Sequence, residues 1–383
     1  MRHTLTFVFF ALALISSCKQ ERGTDTGPGT VNNEYSERFI IERNEGYSKL
    51  TVLNPWQGAE DVNYYYYITD ELSELPDGVD RSKIILRNPR KIVCTSTTHI
   101  AMLDALGETK LITAVSGSDF VYNQELRQAI DEGRVKDIGY ENGYNTELIY
   151  SLDPDLVLVY GVGSETTHTF KRLADMGIPV VFIADYLENH PLARTEWIKV
   201  YGELLGKEEL AGEVFSSVSE EYNAVLNMIK GERKTRHRVL LGLPFKDKWF
   251  VSPGNSYISK LIEDAGGRYL WEEISSDEAV PMSLEAVCLK AREADIWLNP
   301  GNAQSINNIH MLDARLADLP VSTEGSVFNN NKRVNTRGGN DYWESGTVNP
   351  HILLKDIASI LNTDLFPGYE PFYYTELKKE EAD

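Results

Sequence analysis

Two glutamates stand at equivalent places in two segments that resemble one another. Asn145-Thr146-Glu147-Leu148-Ile149 leads to Asp155-Leu156-Val157-Leu158-Val159, and Ser283-Leu284-Glu285-Ala286-Val287 leads to Asp295-Ile296-Trp297-Leu298. In each, a capping residue opens a helix, a glutamate follows two positions later, and the helix runs into an aspartate and a buried strand. A carboxylate in the first helical turn is stabilised by the helix dipole by about 0.3–1 kcal/mol, which is reason enough for either glutamate alone. Two of them on matching faces can in addition pair with arginines on a two-fold symmetric partner. The repetition itself says that one lobe design is used twice.

The remaining candidates are binding groups. In open α/β lobes, ligands sit beyond the carboxyl ends of the strands, so the loops there select Thr97, His99, Tyr140, Tyr144 and Tyr160 in the first half. In the second half they select Trp249, Trp271, Arg337 and Trp343. Tyrosine and tryptophan offer flat apolar area with a polar edge, suited to a rigid chelate or macrocycle, although each is also an ordinary core residue. Arg337 or Arg333 could pair with an anionic chelate. His99 is the histidine best placed to ligate haem iron, whereas His351, after Pro350 at a helix start, reads as structural. The seven histidines are scattered, so no metal site is expected. Gly161 and Gly163 match a phosphate loop only weakly, and no GxSxG or HExxH motif occurs. No catalytic residue, cofactor or enzyme activity is expected.

These groups need two α/β lobes to hold them. Lys91–Cys94, Leu111–Val115, Leu156–Tyr160 and Pro179–Ile183 read as short buried strands, with helical patterns between them, and so do Val239–Leu243 and Ile296–Leu298. Ahead of them, Phe39–Arg43 and Lys49–Leu53 flank Asn44-Glu45-Gly46-Tyr47, a hairpin signal, and Tyr64–Ile68 continues the β character. Residues 190–231 break the rhythm. Apolar residues recur there at three- and four-residue spacing between Pro191, a good helix start, and Gly231, a good stop. A helix of about 40 residues would reach roughly 60 Å, which suits a strut between lobes; a hairpin turning near Gly206 is the alternative. The expected organisation is a signal over 1–17, a flexible tether over 18–35, and a first lobe over 36–189 with a β extension at 36–85. A connecting helix over 190–231 and a second lobe over 232–383 follow.

A formal net charge of −20 argues against a nucleic-acid partner, and an anionic membrane surface would repel the chain. Hydrophobic residues at 42% and charged residues at 25% fit a globular body. Leu5–Ile15 is mostly apolar, too short to span a bilayer but suited to a signal-peptide core. It ends Ile15-Ser16-Ser17-Cys18, which resembles a bacterial lipobox. Cys18 would then be acylated and hold the protein at a membrane of the cell envelope, in the periplasm or at the cell surface. Cys94 and Cys288 fall in different lobes and read as buried free thiols.

The segments Arg90–Gly107, Glu147–Val157, Leu261–Gly267 and Ser283–Glu285 together resemble the periplasmic iron-siderophore and cobalamin binding proteins of ABC importers, over roughly residues 85–365. The resemblance implies two α/β lobes joined by one long helix with the ligand between them. It also implies that Glu147 and Glu285 dock onto arginines of a permease dimer. The expected function is capture of a siderophore-type iron chelate by a monomeric lipoprotein, with cobalamin or haem as the alternative ligand. A chelatase-like enzyme or a surface interaction protein is the remoter reading. The 36–85 extension and His99 depart from the family pattern.

Overall fold

The computed structural model describes residues 28–140, 143–161, 163–231 and 236–379. The expected signal over 1–17, Cys18 and most of the 18–35 tether lie outside the described residues. Among the described residues no helix is long and apolar enough to cross a membrane.

The chain first lays down a five-stranded sheet of β1 (Gly29–Thr30), β2 (Phe39–Arg43), β3 (Tyr47–Leu53), β4 (Asn63–Thr69) and β5 (Ile84–Leu86), in that spatial order. β2 and β3 form the expected hairpin, pairing antiparallel from Phe39 opposite Val52 to Arg43 opposite Ser48. Gly46 turns it at φ +83°, a conformation glycine adopts without a side-chain clash. Period-2 alternation sends Ile41, Leu50, Val52 and Ile68 inward, where they share one core with the first lobe.

That lobe follows as β6 (Ile92–Cys94), α1 (Thr97–Ala105), β7 (Ile112–Val115), α2 (Gln124–Asp131), β8 (Lys136–Asp137), α3 (Thr146–Leu152), β9 (Leu156–Tyr160), α4 (Gly163–Asp175) and β10 (Val180–Ile183). The sheet is parallel throughout, in the order β10-β9-β6-β7-β8. Both faces are covered, which is why its strands are continuously apolar: Leu156 and Leu158 enter one core cluster, Val157 and Val159 the opposite one.

The 190–231 stretch is three helices and not the single rod expected: α5 (Pro191–Glu196), α6 (Ile198–Leu205) and α7 (Glu208–Gly231). Gly206 caps α6 in the left-handed region at φ +62°, and the chain turns there. The two helices meet closely at Gly202, where a Cβ would come within 2.7 Å of the Ala211 side chain. The apolar stripe runs unbroken through the turn because both helices bury it. The helix that joins the lobes is therefore α7 alone, 24 residues or roughly 36 Å. Ala211 and Phe215 near its start lie in the first core; Val218, Tyr222 and Ile229 lie in the second.

The second lobe comprises β11 (Arg238–Leu241), β12 (Lys248–Val251), α8 (Tyr257–Asp264), β13 (Arg268–Tyr269), β14 (Val280–Ser283), α9 (Leu284–Ala291) and β15 (Ile296–Leu298). It closes with α10 (Ile306–Leu312), α11 (Ala314–Ala317), α12 (Pro320–Thr323), β16 (Ser326–Asn329), α13 (Pro350–Leu361) and β17 (Thr375–Glu376). Its main sheet runs β13-β11-β15-β16-β17, parallel except for β17, and β12 pairs with β14 in a small antiparallel sheet. Each lobe thus sets its first strand, β6 or β11, between its second and the strand after the repeated helix. The repeat extends to its aspartates. Asp155 accepts the backbone N–H groups of Arg90 and Lys91 at 2.8 and 2.9 Å, and Asp295 accepts that of Arg238 at 2.8 Å. In both lobes the aspartate thereby ties the strand after the repeated helix to the start of the first strand.

The extension is fastened to the joint between the lobes. The Glu196 carboxylate accepts the backbone N–H groups of Glu34, Tyr35 and Ser36 at 2.7–2.8 Å. Glu188 accepts those of Glu37 and Arg38, along with the Trp197 indole N–H at 3.0 Å. Glu203 holds Arg43 and the Ser48 hydroxyl. All three carboxylates are buried. Tyr35 stacks on His190 at 4.8 Å and touches Phe215 of α7.

Candidate functional site

The residues just past the strand ends of each parallel sheet are the candidates for a site between the lobes. On the first lobe, Thr97 begins α1, whose cap is the Ser96 side chain. Tyr160 ends β9, with its ring 4.2 Å from that of Tyr186. The Tyr186 hydroxyl donates to the Gly161 carbonyl at 2.8 Å, which fixes the pair. Asp185, just beyond β10, is buried beside them, and its carboxylate accepts the Tyr186 N–H at 2.9 Å. Burial pushes the Asp185 carboxyl above the usual range, while Arg194 and Thr98 pull it back. Burial, with Asp185 nearby, also pushes the Tyr160 hydroxyl up to about 12.

Three arginines cross from one lobe to the other. Arg194 of α5 donates to the Tyr186 and Glu188 carbonyls at 2.9 and 3.3 Å and lies over the Tyr257 ring of α8, 3.9 Å from its centroid. Arg333 pairs with Asp341 at 2.6 Å and lies over the Tyr122 ring of the first lobe. Arg337 pairs with Asp131 at 3.2 Å and Asp119 at 3.7 Å.

The last two belong to the segment between β16 and α13, which crosses to the first lobe like a strap. Asn335 donates its side-chain N–H to the Val121 carbonyl at 2.8 Å, Thr97 donates its hydroxyl to the Trp343 carbonyl at 3.4 Å, and the Thr195 hydroxyl donates to the Thr347 carbonyl at 2.8 Å. Gly339 is needed where the strap meets the first lobe, since a Cβ there would come within 2.5 Å of the Val121 carbonyl oxygen. Glu344, buried at the seam, accepts the backbone N–H groups of Tyr122 and Asn123 at 2.8 and 2.7 Å. Large aromatic side chains stay exposed past the strand ends: Phe120 and Tyr140, 5.1 Å apart, on the first lobe, and Phe245 and Trp343 on the second.

Of the expected ligand-binding residues, Thr97, Arg337 and Trp343 take part in contacts across the seam between the lobes, while Tyr140 and Tyr160 lie at or past strand ends of the first lobe. Four others are packing residues. His99 is wholly buried inside α1, and burial pushes its imidazole down to about 3, so it stays neutral and out of reach of a haem iron. Trp249 is buried against Trp297 and donates its indole N–H to the Leu241 carbonyl at 2.9 Å. Trp271 is buried beside Tyr269 in the second core. Tyr144 packs edge-on against Phe170 of the first lobe at 5.0 Å. His351 lies at the start of α13, 3.5 Å from Glu221. Among the described residues no group of His, Cys, Asp or Glu is arranged to hold a metal.

Sequence reasoning placed Phe120 in the loop Ser116–Tyr122 but missed Asp185, Tyr186 and Phe245, although each lies within four residues of a strand end and the loop rule could have found them. Arg194, Tyr257 and Glu344 had no such signal, because the contacts of Arg194 with Tyr257, and of Glu344 with Tyr122 and Asn123, join distant parts of the chain. A cavity of about 810 Å³ lies elsewhere, between the β extension and the amino ends of the first lobe's strands, lined by Leu75, Arg90, Asp155 and Pro179 among others. A smaller one of about 410 Å³ opens at the strap, beside Asp104, Arg333 and Glu344.

The repeated glutamates occupy the same geometry. Glu147 and Glu285 are each the second residue of their helix, α3 and α9, behind caps Asn145 and Ser283 that accept backbone N–H groups at 2.9 and 3.3 Å. Both are exposed. Glu285 also pairs with Arg315, which holds Asp313 at 2.7 Å.

Residues 92–320 match the family model described as periplasmic binding protein. The chain is 24% identical over 310 residues to an uncharacterized lipoprotein of Methanocaldococcus jannaschii, covering 79% of this chain and 72% of that protein. It is 23% identical over 233 residues to a cobalamin-binding protein of Halobacterium salinarum, covering 61% of this chain and 59% of that one. A periplasmic heme binding protein from Pseudomonas aeruginosa superposes with a TM-score of 0.57 at 16% identity, over 77% of this chain and 100% of its own; that likeness is one of fold.

Proposed function

The chain belongs to the periplasmic binding protein family, and on that premise we propose that it captures a metal chelate between its lobes and delivers it to an ABC import permease. The observation that carries this is the pairing of two like parallel-sheet lobes across a seam, where Arg337 reaches Asp119 and Asp131 and Thr97 reaches the Trp343 carbonyl. The cargo proposed first is a siderophore-type iron chelate. Cobalamin is the second reading, favoured by the relative from Halobacterium salinarum. Glu147 and Glu285, presented alike by the two lobes, are the proposed contacts with the permease arginines. The molecule works as a monomer and not as an enzyme. Acylated Cys18 anchors it in the cell envelope, in keeping with the lipoprotein relative.

The test is direct titration of the purified protein with ferrichrome, ferric citrate, cyanocobalamin and haemin, followed by tryptophan fluorescence. Saturable one-to-one binding of any of them supports the reading, and failure of all four ends it. Loss of uptake in Glu147→Ala and Glu285→Ala cells, with chelate binding by the purified variants intact, would assign the docking role.

A further inference from the structure

We infer that the cavity of about 810 Å³ beside the β extension is a docking site for an extended peptide segment of another protein, which adds a strand to the free edge of β5. One wall runs from Leu72 to Arg90, ahead of the residues that match the family model. The other is made by the turns Asp153–Asp155 and Gly177–Pro179. Leu72 and Leu86 both line the cavity, yet they are 62% and 50% exposed. Large apolar side chains left open in a concave site mark a surface that another molecule covers.

The backbone says what kind of molecule. β5 is the last strand of its sheet, with a neighbour, β4, on one side alone. The two pair in parallel with Thr69 opposite Leu86, and the Arg87 N–H donates to the Thr69 carbonyl at 2.9 Å. In such a pair alternate residues face the neighbouring strand, so Ile85 and Arg87 turn toward β4 and Leu86 turns away. Among the described residues the Leu86 N–H and carbonyl meet no partner, and Ile84, Leu86 and Arg87 all border the cavity. An open main-chain edge flanked by apolar side chains recognises an extended chain through main-chain hydrogen bonds and alternate side-chain contacts. The three residues of β5 provide about 10 Å of edge, room for a segment of three or four residues.

The charges narrow the segment further. Arg81 and Arg90 line the cavity, and among the described residues neither guanidinium meets a carboxylate, in a chain with 58 acidic against 38 basic residues. Arg87 is held by Asp70 at 3.0 Å, and Asp155 is spent on the Arg90 and Lys91 N–H groups. Asp77 and Asp153, on exposed turns, accommodate one basic residue at the mouth. The fitting segment therefore has apolar residues at alternate positions and an acidic residue for Arg81 or Arg90. Residues 19–27 of this chain carry no apolar side chain and do not suit the site, which is why the occupant is another protein.

The probe is a phage library of random peptides panned against the purified full chain, with an enriched peptide then synthesised and titrated. Enriched peptides are expected to alternate apolar residues and to carry an acidic one. The bound peptide should slow hydrogen exchange at the Leu86 amide, followed by NMR, by about tenfold or more. Leu86→Glu and Arg90→Glu should each weaken peptide binding by about tenfold, with Leu72→Glu as a further apolar variant should Leu86→Glu fail to fold. No enrichment, peptides that leave the Leu86 amide unprotected, or peptides indifferent to these substitutions overturn the inference. A Leu86 amide already protected in the free chain, and released on deletion of residues 19–27, would put the chain's own tether in the cavity and overturn it too. None of these results bears on chelate capture, whose seam residues take no part in this site and whose test is the separate chelate titration.

Discussion

The Glu344 carboxylate, carried by the second lobe, accepts the backbone N–H of Asn123 on the first at 2.7 Å. Burial is the main cause that pushes this carboxyl up, to about 7; the Tyr122 and Asn123 N–H groups oppose it, and Asp341 and Asp104 add to it. The other charges facing this seam are Arg333, which answers Asp341, and Glu125, which raises Asp104. An acid whose folded pKa lies above its ordinary value of 4.5 binds more protons folded than unfolded across that interval. Its contribution to stability therefore falls as pH rises from about 4.5 to 7, by up to roughly 3 kcal/mol. Glu344→Gln should gain stability relative to the parent as pH rises through that window and hold the gain above it. Urea unfolding of both proteins at pH 5, 6, 7 and 8 checks this; a constant gap would show that Glu344 is ionised throughout.

Two tryptophans have opposite fates. Trp249 is 1% exposed and Trp343 59%. Trp249→Ala should cost about 3–5 kcal/mol by emptying a core site. Trp343→Ala should change stability by less than about 0.5 kcal/mol. On the proposed reading it should weaken whichever chelate binds by about tenfold, because it removes an exposed ring beside Thr97 at the seam. Denaturant melts and fluorescence titration of both variants separate the two effects.

The paired aspartates predict lobe-local damage. Asp155→Ala and Asp295→Ala each leave a first strand's N–H without its acceptor, at a cost of about 1 kcal/mol. The sites belong to different lobes, so the double variant should show the sum within about 0.5 kcal/mol. Hydrogen exchange should place each loss in its own lobe, and spread of either loss across both lobes would contradict this.

Removing the β extension is expected to destroy the first lobe and not to trim it. Residues 28–86 share that lobe's core, and their loss would leave Glu188, Glu196 and Glu203 without the N–H and guanidinium groups they bind. Within the whole chain, Glu196→Gln should cost about 3 kcal/mol, since it leaves Lys199 without its carboxylate partner at 2.6 Å. A soluble, ligand-binding truncation would refute this and make the extension an accessory.

Much of the fold could be read in advance because it rests on local signals. Leu156–Tyr160 and Ile296–Leu298 are apolar runs that form the strands expected of them, and the Asn145 and Ser283 caps open the helices expected after them. The turn at Gly206 was harder. An apolar stripe keeps its period through a hairpin when both arms pack into one core, so periodicity alone could not separate a rod from a bend. The site was harder still. Whether an aromatic in β12 points in or out depends on a one-residue register: Trp249 lies inward and its neighbour Phe250 outward. Arg194 meets Tyr257, and Glu344 meets Asn123, only because the chain folds, and neither pairing leaves a trace in residue spacing.

The connecting helix has a consequence for how the importer can know that cargo is aboard. α7 is set into one core at its first turns and into the other at its last, and the neighbouring helices are splinted by three buried carboxylates. On the proposed carrier reading, a shaft embedded at both ends resists swinging, so full and empty molecules would present nearly the same silhouette to the membrane. Loading would then be sensed through slight play along the strap or through the cargo's own exposed surface, and an empty carrier would compete for the same berth as a full one.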